Sequence, residues 1–275
     1  MNGASGREGS SDRSDRPGAM RPTAMRPTAM RPAAVRQATG RSLVLDAIRG
    51  ILVILMVIYH AAYISVMSGL LDFELYTGFW WIFPRTIAAG FMTVSGWSLA
   101  GKKARGSGFR SFLVRAGRLA VPALAITVIS AFMFHKGFVF FGILQLLAAS
   151  SILAWPFLGR PVLALAAGLT VMAGGLMLGG QRFDWPYLAW LGLRPSGLYP
   201  VDYLPILPWF AWCLFGAAAG DLVIRHGLVR VDGTSWQAVI LGPLAYAGRH
   251  SLTIYLVHLP ALYGLGSLLA LLTRS

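Results

Sequence analysis

The sequence is poor in cysteine and in charged residues. Cys213 is its single cysteine, and Asp, Glu, Lys and Arg together make up only 12% of the 275 residues. One thiol excludes a disulfide framework and a thiolate metal cluster, and because Cys213 lies inside an apolar run its expected role is packing. The low charge argues against a soluble globular protein. Hydrophobic residues make up 56% of the chain and mean hydropathy is +0.63, which is typical of a polytopic membrane protein.

Acidic residues are scarcer than basic ones, 10 against 24, so the net charge is +14. This charge does not indicate nucleic-acid binding, because the basic residues cluster in the first 42 residues and between the apolar runs, where they act as topology signals. The early segment AMRPTAMRPTAMRPAAVRQ has regularly spaced prolines and little large apolar content. We therefore expect residues 1–42 to be a disordered cytoplasmic tail and residues 43–275 to be a transmembrane domain. No cleavable signal peptide is expected before the first helix.

The apolar runs predict an all-α transmembrane helix bundle with seven spans, or eight in the alternative count. The first span is expected at about 44–67, and the second begins at GFWWIFPR and ends at about 101. The next four spans are expected at about 113–134, 138–156, 162–180 and 204–224. A last stretch from Trp236 to Leu272 is broken at Gly242-Pro243 and again between Gly248 and Ser251, which predicts a half-membrane helix and then the seventh span. The positive-inside rule puts the N-terminus in the cytoplasm, and the predicted location is the plasma or inner membrane.

Polar side chains within the apolar runs are the candidate functional residues, because an ionisable group in a bilayer-length helix costs roughly 2.5–3.5 kcal/mol. In LDAIRGILVILMVIYHAAY, eleven residues separate Arg49 from His60, which places both on one stripe about 16 Å apart. Similar depth estimates predict two polar layers. The outer layer holds His60, Arg85, Gln145, Asp202 and Tyr203, the inner layer holds Asp46, Arg49, Arg249 and His250, and His258 lies between them.

Each of these residues also has a structural interpretation. The arginines could extend to the lipid headgroups, and an acidic residue in a first turn could simply cap its helix. The histidines could hydrogen-bond to neighbouring helices. These alternatives stay open at the level of the sequence.

Five blocks in order carry a resemblance to a known family. They are LDAIRGILVILMVIYH, FMTVSGWSLAG, FGILQLL, VDYLPILPWFAWCLFGAAAGD and LAYAGRHSLTIYLVHLP. Together they resemble bacterial relatives of heparan-α-glucosaminide N-acetyltransferase, over about residues 43 to 263. The arginine-to-histidine spacing of the first block is also similar to that of the wider transmembrane acyltransferases that modify sugars and envelope glycans.

The resemblance implies a multipass enzyme that takes an acetyl or other acyl group from cytoplasmic acyl-CoA. It implies transfer of that group to an amine or hydroxyl of a sugar at the outer side. His60 matches the histidine to which such enzymes assign catalytic work, and Arg49 matches the arginine of the same block. The chain departs from the pattern at Gln145, where a histidine is expected, and at Leu259, where glutamine often follows the last histidine.

Acyl transfer gives each layer an expected role. Histidine is suited to act as a base or a transient acyl acceptor near neutral pH, so His60 is the predicted chemical residue. Arg85 or Gln145 could donate to the carbonyl oxygen as it gains negative charge. The expected donor is acetyl-CoA, without a metal. Arg49 is a further candidate for catalysis, and Arg49, Arg249 and the basic stretch 102–118 could also hold the phosphates of coenzyme A. We expect the donor to contact Asp46, Arg249, His250 and Gln145, and the acceptor sugar to contact Asp202, Tyr203 and His258.

A small transporter or permease is the rival function, because polar layers in a helix bundle also describe a substrate path. No inverted repeat is evident in the hydropathy pattern, which counts against a transporter. A membrane scaffold is the third alternative. The expected partners are the lipid bilayer, an acyl donor and a sugar acceptor, with no nucleic acid, and assembly into a homo-oligomer stays open.

Overall fold

The computed structural model of the chain describes residues 43–133, 138–181, 183, 186–193, 202–227 and 235–273, without the side chains of 235–240 and 267–273. Contacts divide the chain into two compact units, Met1–Arg31 and Pro32–Ser275, and every described residue belongs to the second unit. The predicted basic tail over residues 1–42 lies outside the described residues.

Helices dominate the described residues, which confirms the all-α class. The eight α-helices within them are α1 Leu43–Met67, α2 Gly78–Ala104, α3 Phe109–Met133, α4 Ile143–Leu153, α5 Pro161–Leu178, α6 Ile206–His226, α7 Ser235–Arg249 and α8 Ser251–Thr273. Two short 3₁₀ helices, Trp155–Phe157 and Pro186–Leu191, occur in the connections. One of the two expected breaks before the last helix lies at His250, between α7 and α8. The other, at Gly242-Pro243, does not interrupt α7, which contains Pro243.

Four helices in the described part of the chain are long and apolar enough to cross a membrane, namely α1, α3, α5 and α6. The predicted total of seven or eight spans and the cytoplasmic N-terminus stay predictions. The fourth expected span, 138–156, is longer than α4, which covers 11 residues. One reason is that Phe141 pairs with Tyr203 instead of joining the helix, and its carbonyl oxygen accepts the Leu204 N–H at 2.8 Å.

The two ends of the bundle differ in chemistry. The end where α1 begins and α2 finishes carries Lys102, Lys103 and Arg105, and we call it the basic end. At the other end, stacked and edge-on rings join Phe73, Phe79, Trp80 and Phe83 between α1 and α2, and we call it the aromatic end. Basic residues and aromatic rings are both common at membrane interfaces, so this asymmetry suits a membrane protein.

Glycines allow two pairs of helices to pack with their backbones in contact. A Cβ on Gly96 of α2 would overlap the Cys213 carbonyl of α6, and one on Gly216 would overlap the Thr93 carbonyl of α2. In the same way, α1 and α7 cross antiparallel, with Gly50 against the Leu244 carbonyl and Gly248 against the Asp46 carbonyl. Small residues at crossings are typical of membrane helix pairs, because they let the backbones approach closely.

The buried core lies among α2, α3, α4 and α6. Its largest fully buried side chains include Met92, Leu99, Phe112, Leu146 and Leu214. This core holds one side of a large opening, and α1 and α8 form much of the other side. The packing therefore leaves space between two groups of helices, and the polar residues of α1, α2, α3 and α8 face it.

Candidate functional site

A cavity of about 2110 Å³ runs through the bundle between α1, α2, α3 and α8. Its lining changes from Lys102, Arg105 and Arg115 near the basic end to Tyr59, Tyr63, Tyr76 and Trp80 near the aromatic end. Pockets that hold one drug-sized ligand are usually about 300–1,000 Å³. The volume is therefore large enough for two substrates to be bound at the same time.

Two histidines meet in this cavity. His60 of α1 and His258 of α8 have ring centroids 4.9 Å apart, with ring planes at 68°. The His60 Nδ1 lies 2.9 Å from the Met56 carbonyl oxygen, and the His258 Nδ1 lies 2.6 Å from the Tyr255 carbonyl oxygen. Since a carbonyl oxygen can only accept, Nδ1–H is the donor in both rings and Nε2 keeps its lone pair when the ring is neutral.

The second nitrogen of His258 is available for a ligand. His258 is buried, and among the described residues its Nε2 has no hydrogen-bond partner. A buried polar atom without a partner is costly, so such an atom in a cavity wall indicates a place where a ligand or water bonds. The sequence predicted a substrate contact at His258. The direct contact between its ring and the ring of His60 was not predicted.

A carboxylate lies at the aromatic side of the histidine pair. Asp202 precedes α6 and lines the cavity. Burial raises the pKa of its carboxyl to about 6, although the Ile143 N–H donates to it and acts in the opposite direction. The Asp202 charge acts on Tyr59 and Tyr255, which flank the histidines. Asp202 therefore lies close to the site where acid–base chemistry is expected.

Nearer the basic end, Arg49 is held by two partners on different helices. Its Nη1 donates to Asp46 Oδ1 at 2.7 Å, and its Nη2 donates to Ser98 Oγ of α2 at 2.8 Å. Asp46 is almost fully buried at 4% exposure. The guanidinium thus points across to α2 and lines the cavity.

A second arginine, Arg115 of α3, shares this region. The sequence predicted it only as one of the basic residues between 102 and 118 that could hold the phosphates of coenzyme A, and did not single it out. Its Nε donates to Ser151 Oγ and its Nη2 donates to Ser95 Oγ, both at 3.1 Å. Arg115 and Arg49 are close enough for their charges to interact. In the sequence, Arg115 belongs to a run of basic residues that is typical of a topology signal. The sequence does not show that hydrogen bonds to two serines of other helices hold its side chain toward the cavity.

Three other expected donor contacts have different surroundings. Arg249 lines the cavity but is exposed at its rim. His250 is exposed and is absent from the described lining, and its ring lies tilted against Tyr246 with 4.3 Å between the centroids. Gln145 is also absent from that lining. Its amide donates to the Ala123 carbonyl at 3.2 Å and to Thr127 Oγ1 at 2.8 Å, and its Oε1 accepts the Gly142 N–H at 3.1 Å.

The remaining two predicted residues lie toward the aromatic end. Arg85 is exposed, lines the cavity and has its guanidinium carbon 3.9 Å from the Trp81 ring centroid. Tyr203 also lines the cavity, and its hydroxyl donates to the Ala189 carbonyl at 2.6 Å. The structure therefore brings His60, His258, Arg49 and Asp202 into one cavity with Arg85 and Tyr203, whereas Gln145 and His250 face elsewhere.

The geometry suits acyl transfer, because a cationic region and a pair of basic nitrogens share one volume. Comparison with known proteins points in the same direction. No match was found among curated proteins or among solved structures. The model of the family described as heparan-alpha-glucosaminide N-acetyltransferase, catalytic, matches residues 41–260, which is more than three quarters of the chain. The chain therefore belongs to this family of membrane acetyltransferases.

Proposed function

We propose that the protein transfers an acetyl or other acyl group from acyl-CoA to an amine or hydroxyl of a sugar. The donor binds from the basic end, which we assign to the cytoplasm, and the sugar binds from the aromatic end, which we assign to the outer side of the plasma or inner membrane. The observation that carries this proposal is the single cavity that joins two arginines to two histidines. A donor and an acceptor can meet there without leaving the protein.

The chemistry centres on His60. Its Nδ1–H is held by the Met56 carbonyl, so Nε2 can take a proton from the acceptor amine or hydroxyl as that group attacks the thioester carbon. The new carbon–nitrogen or carbon–oxygen bond forms, the carbon–sulfur bond breaks, and the thiolate of CoA recovers the proton from the imidazolium. In the alternative order, Nε2 itself attacks the thioester carbon, the carbon–sulfur bond breaks and the CoA thiolate leaves. The amine or hydroxyl of the sugar then attacks the acyl carbon, the carbon–nitrogen bond to His60 breaks, and the proton of the acceptor passes to the CoA thiolate.

Other residues support this step. His258 Nε2 lacks a partner among the described residues and would accept a hydrogen bond from the second N–H of an amine acceptor. Of the two candidates for stabilising the carbonyl oxygen, Arg85 lines the cavity and Gln145 does not, so we assign that role to Arg85. Asp202 and Tyr203 lie on the acceptor side, whereas Asp46, Arg49 and Arg249 lie on the donor side. Gln145 joins α3 to α4 and is not needed for the donor.

The test is transfer by the purified protein in detergent or proteoliposomes. Labelled acetyl-CoA and an amino sugar such as glucosamine are supplied, and labelled acetyl-sugar and free CoA thiol are both counted. Equal amounts of the two products support the proposal. The rival transporter function predicts counterflow of labelled sugar in the absence of acyl-CoA, with no acetylated product.

A further inference from the structure

Among the described residues, none balances the positive charge of Arg115. Its two hydrogen-bond partners are the neutral hydroxyls of Ser95 and Ser151, and the structure has no carboxylate within ion-pair distance of it among the described residues. The largest charge interaction on it is with the like charge of Arg49. A partly buried charge without a counter-ion is unfavourable, so this arrangement is suited to an anionic ligand.

The guanidinium is also fixed in orientation and only partly used. Ser151 donates its own hydrogen to the Leu147 carbonyl at 2.8 Å, which leaves its oxygen directed to accept from Arg115. A guanidinium has five N–H donors, and two of them bond to the serines. The remaining donors include Nη1, and a guanidinium with such a free fork binds a phosphate through two parallel hydrogen bonds.

The depth of this site matches one part of a thioester donor. Arg115 is six residues from the start of α3 and Arg49 is six residues from the start of α1, so both lie about 9 Å along their helices from the basic end. His60 is a further eleven residues along α1, or about 16 Å. A phosphopantetheine arm has the length of roughly four residues of extended backbone between its phosphate and its sulfur, or ~14 Å.

From this match we propose that Arg115, beside Arg49, binds the phosphate at the base of a phosphopantetheine arm, so that the thioester reaches His60. This inference rests on the proposed acyl transfer and adds the part of the donor that is recognised. Coenzyme A and acyl carrier protein both carry the arm. The arginines therefore select for the phosphate and the arm. The distance between these arginines and His60 determines where the thioester lies.

The experiment measures binding of three thiols to the full-length protein in detergent by titration calorimetry. The probes are coenzyme A, 4′-phosphopantetheine and pantetheine, which lacks the phosphate. We expect phosphopantetheine to bind about 10- to 100-fold more tightly than pantetheine, because charge-assisted hydrogen bonds to the phosphate are lost in the latter. Arg115→Met is expected to abolish that preference. Holo-acyl carrier protein, titrated in parallel with coenzyme A, distinguishes the two sources of the arm.

Arg118→Met is the matched control, because Arg118 is one turn further along α3 and is exposed. It should keep the preference for the phosphate. The proposal is overturned if wild-type protein binds both small thiols equally, or if the two methionine variants behave alike. If Arg115→Met fails to fold, Arg115→Lys decides. Lysine keeps the positive charge but lacks the paired N–H groups of a guanidinium. A reduced preference for phosphopantetheine over pantetheine therefore supports the proposal, and an unchanged preference overturns it.

Failure of this inference can be told apart from failure of the proposed function. Acetyl transfer from acetyl-CoA by the wild-type protein, together with an unchanged phosphate preference in Arg115→Met, refutes only the role of Arg115. An absence of both transfer and thiol binding in the folded wild-type protein refutes the function itself.

Discussion

The crossing of α1 and α7 gives a prediction about Gly248→Ala. The added methyl group would meet backbone only, since the Asp46 carbonyl carbon is 2.7 Å and the Gly50 nitrogen 2.9 Å from its position. Backbone atoms cannot move aside by changing rotamer, so the two helices must separate. Overpacking of this kind costs about 1–3 kcal/mol, and the better helix propensity of alanine returns up to ~1 kcal/mol.

Because the overlap is with backbone, the cost lies near the upper end of that range and the net loss is about 2 kcal/mol, which lowers the melting temperature by about 4–8 °C in a chain of this size. The assay is thermal unfolding of the purified protein in detergent, followed by intrinsic tryptophan fluorescence. Gly264→Ala on α8 is the control, because no other part of the described structure lies within 4 Å of a methyl group there. The packing argument is refuted if Gly248→Ala melts no lower than Gly264→Ala.

Three further predictions concern side chains around the cavity. The carboxyl of Asp202 has a pKa of about 6 in the folded protein against an ordinary 3.8. Because the folded state binds this proton more tightly than the unfolded state, thermal stability should fall as pH rises from about 4 to 6. Asp202→Asn should flatten that slope in a pH series of melting curves, and an equal slope in both proteins would contradict the assignment. Gln145→Leu should lower the melting temperature yet leave the KM for acetyl-CoA unchanged, because the amide joins α3 to α4. A large rise in that KM would instead support the contact between Gln145 and the donor that the sequence predicts. His258→Phe should lower kcat/KM for the acceptor by about tenfold in initial-rate assays, because phenylalanine lacks the nitrogen that accepts one hydrogen bond. An unaltered value would remove His258 from the acceptor site.

Much of the helix arrangement was predictable from the sequence because apolar runs and their breaks are local signals. The runs correctly predict α1 and α6 to within a few residues, and the interruption between Gly248 and Ser251 correctly predicts the separation of α7 from α8. The fourth segment was predicted too long. Its first residues pair with the segment around Tyr203, and a contact between distant parts of the chain leaves no mark on local hydropathy.

The site was predictable only in part, for a related reason. Depth along a helix follows from residue number, so His60 and Arg49 could be assigned to separate layers. Rotation about the helix axis does not follow from residue number, and it decides that His258 meets His60 and that Gln145 turns toward Thr127. Arg115 could not be distinguished from the other basic residues between 102 and 118, because its serine partners in α2 and α4 lie 20 and 36 residues away in the sequence.

The most direct test of the central claim is the rate of acetyl transfer from acetyl-CoA to glucosamine by His60→Ala, beside the wild-type protein. If His60 Nε2 performs the proton transfer or accepts the acyl group, kcat should fall by about 10²- to 10⁴-fold. Titration calorimetry should show coenzyme A binding unchanged, because the phosphate site lies about 16 Å away along α1. Equal kcat values in the two proteins, with both folded and both binding coenzyme A, would contradict the account.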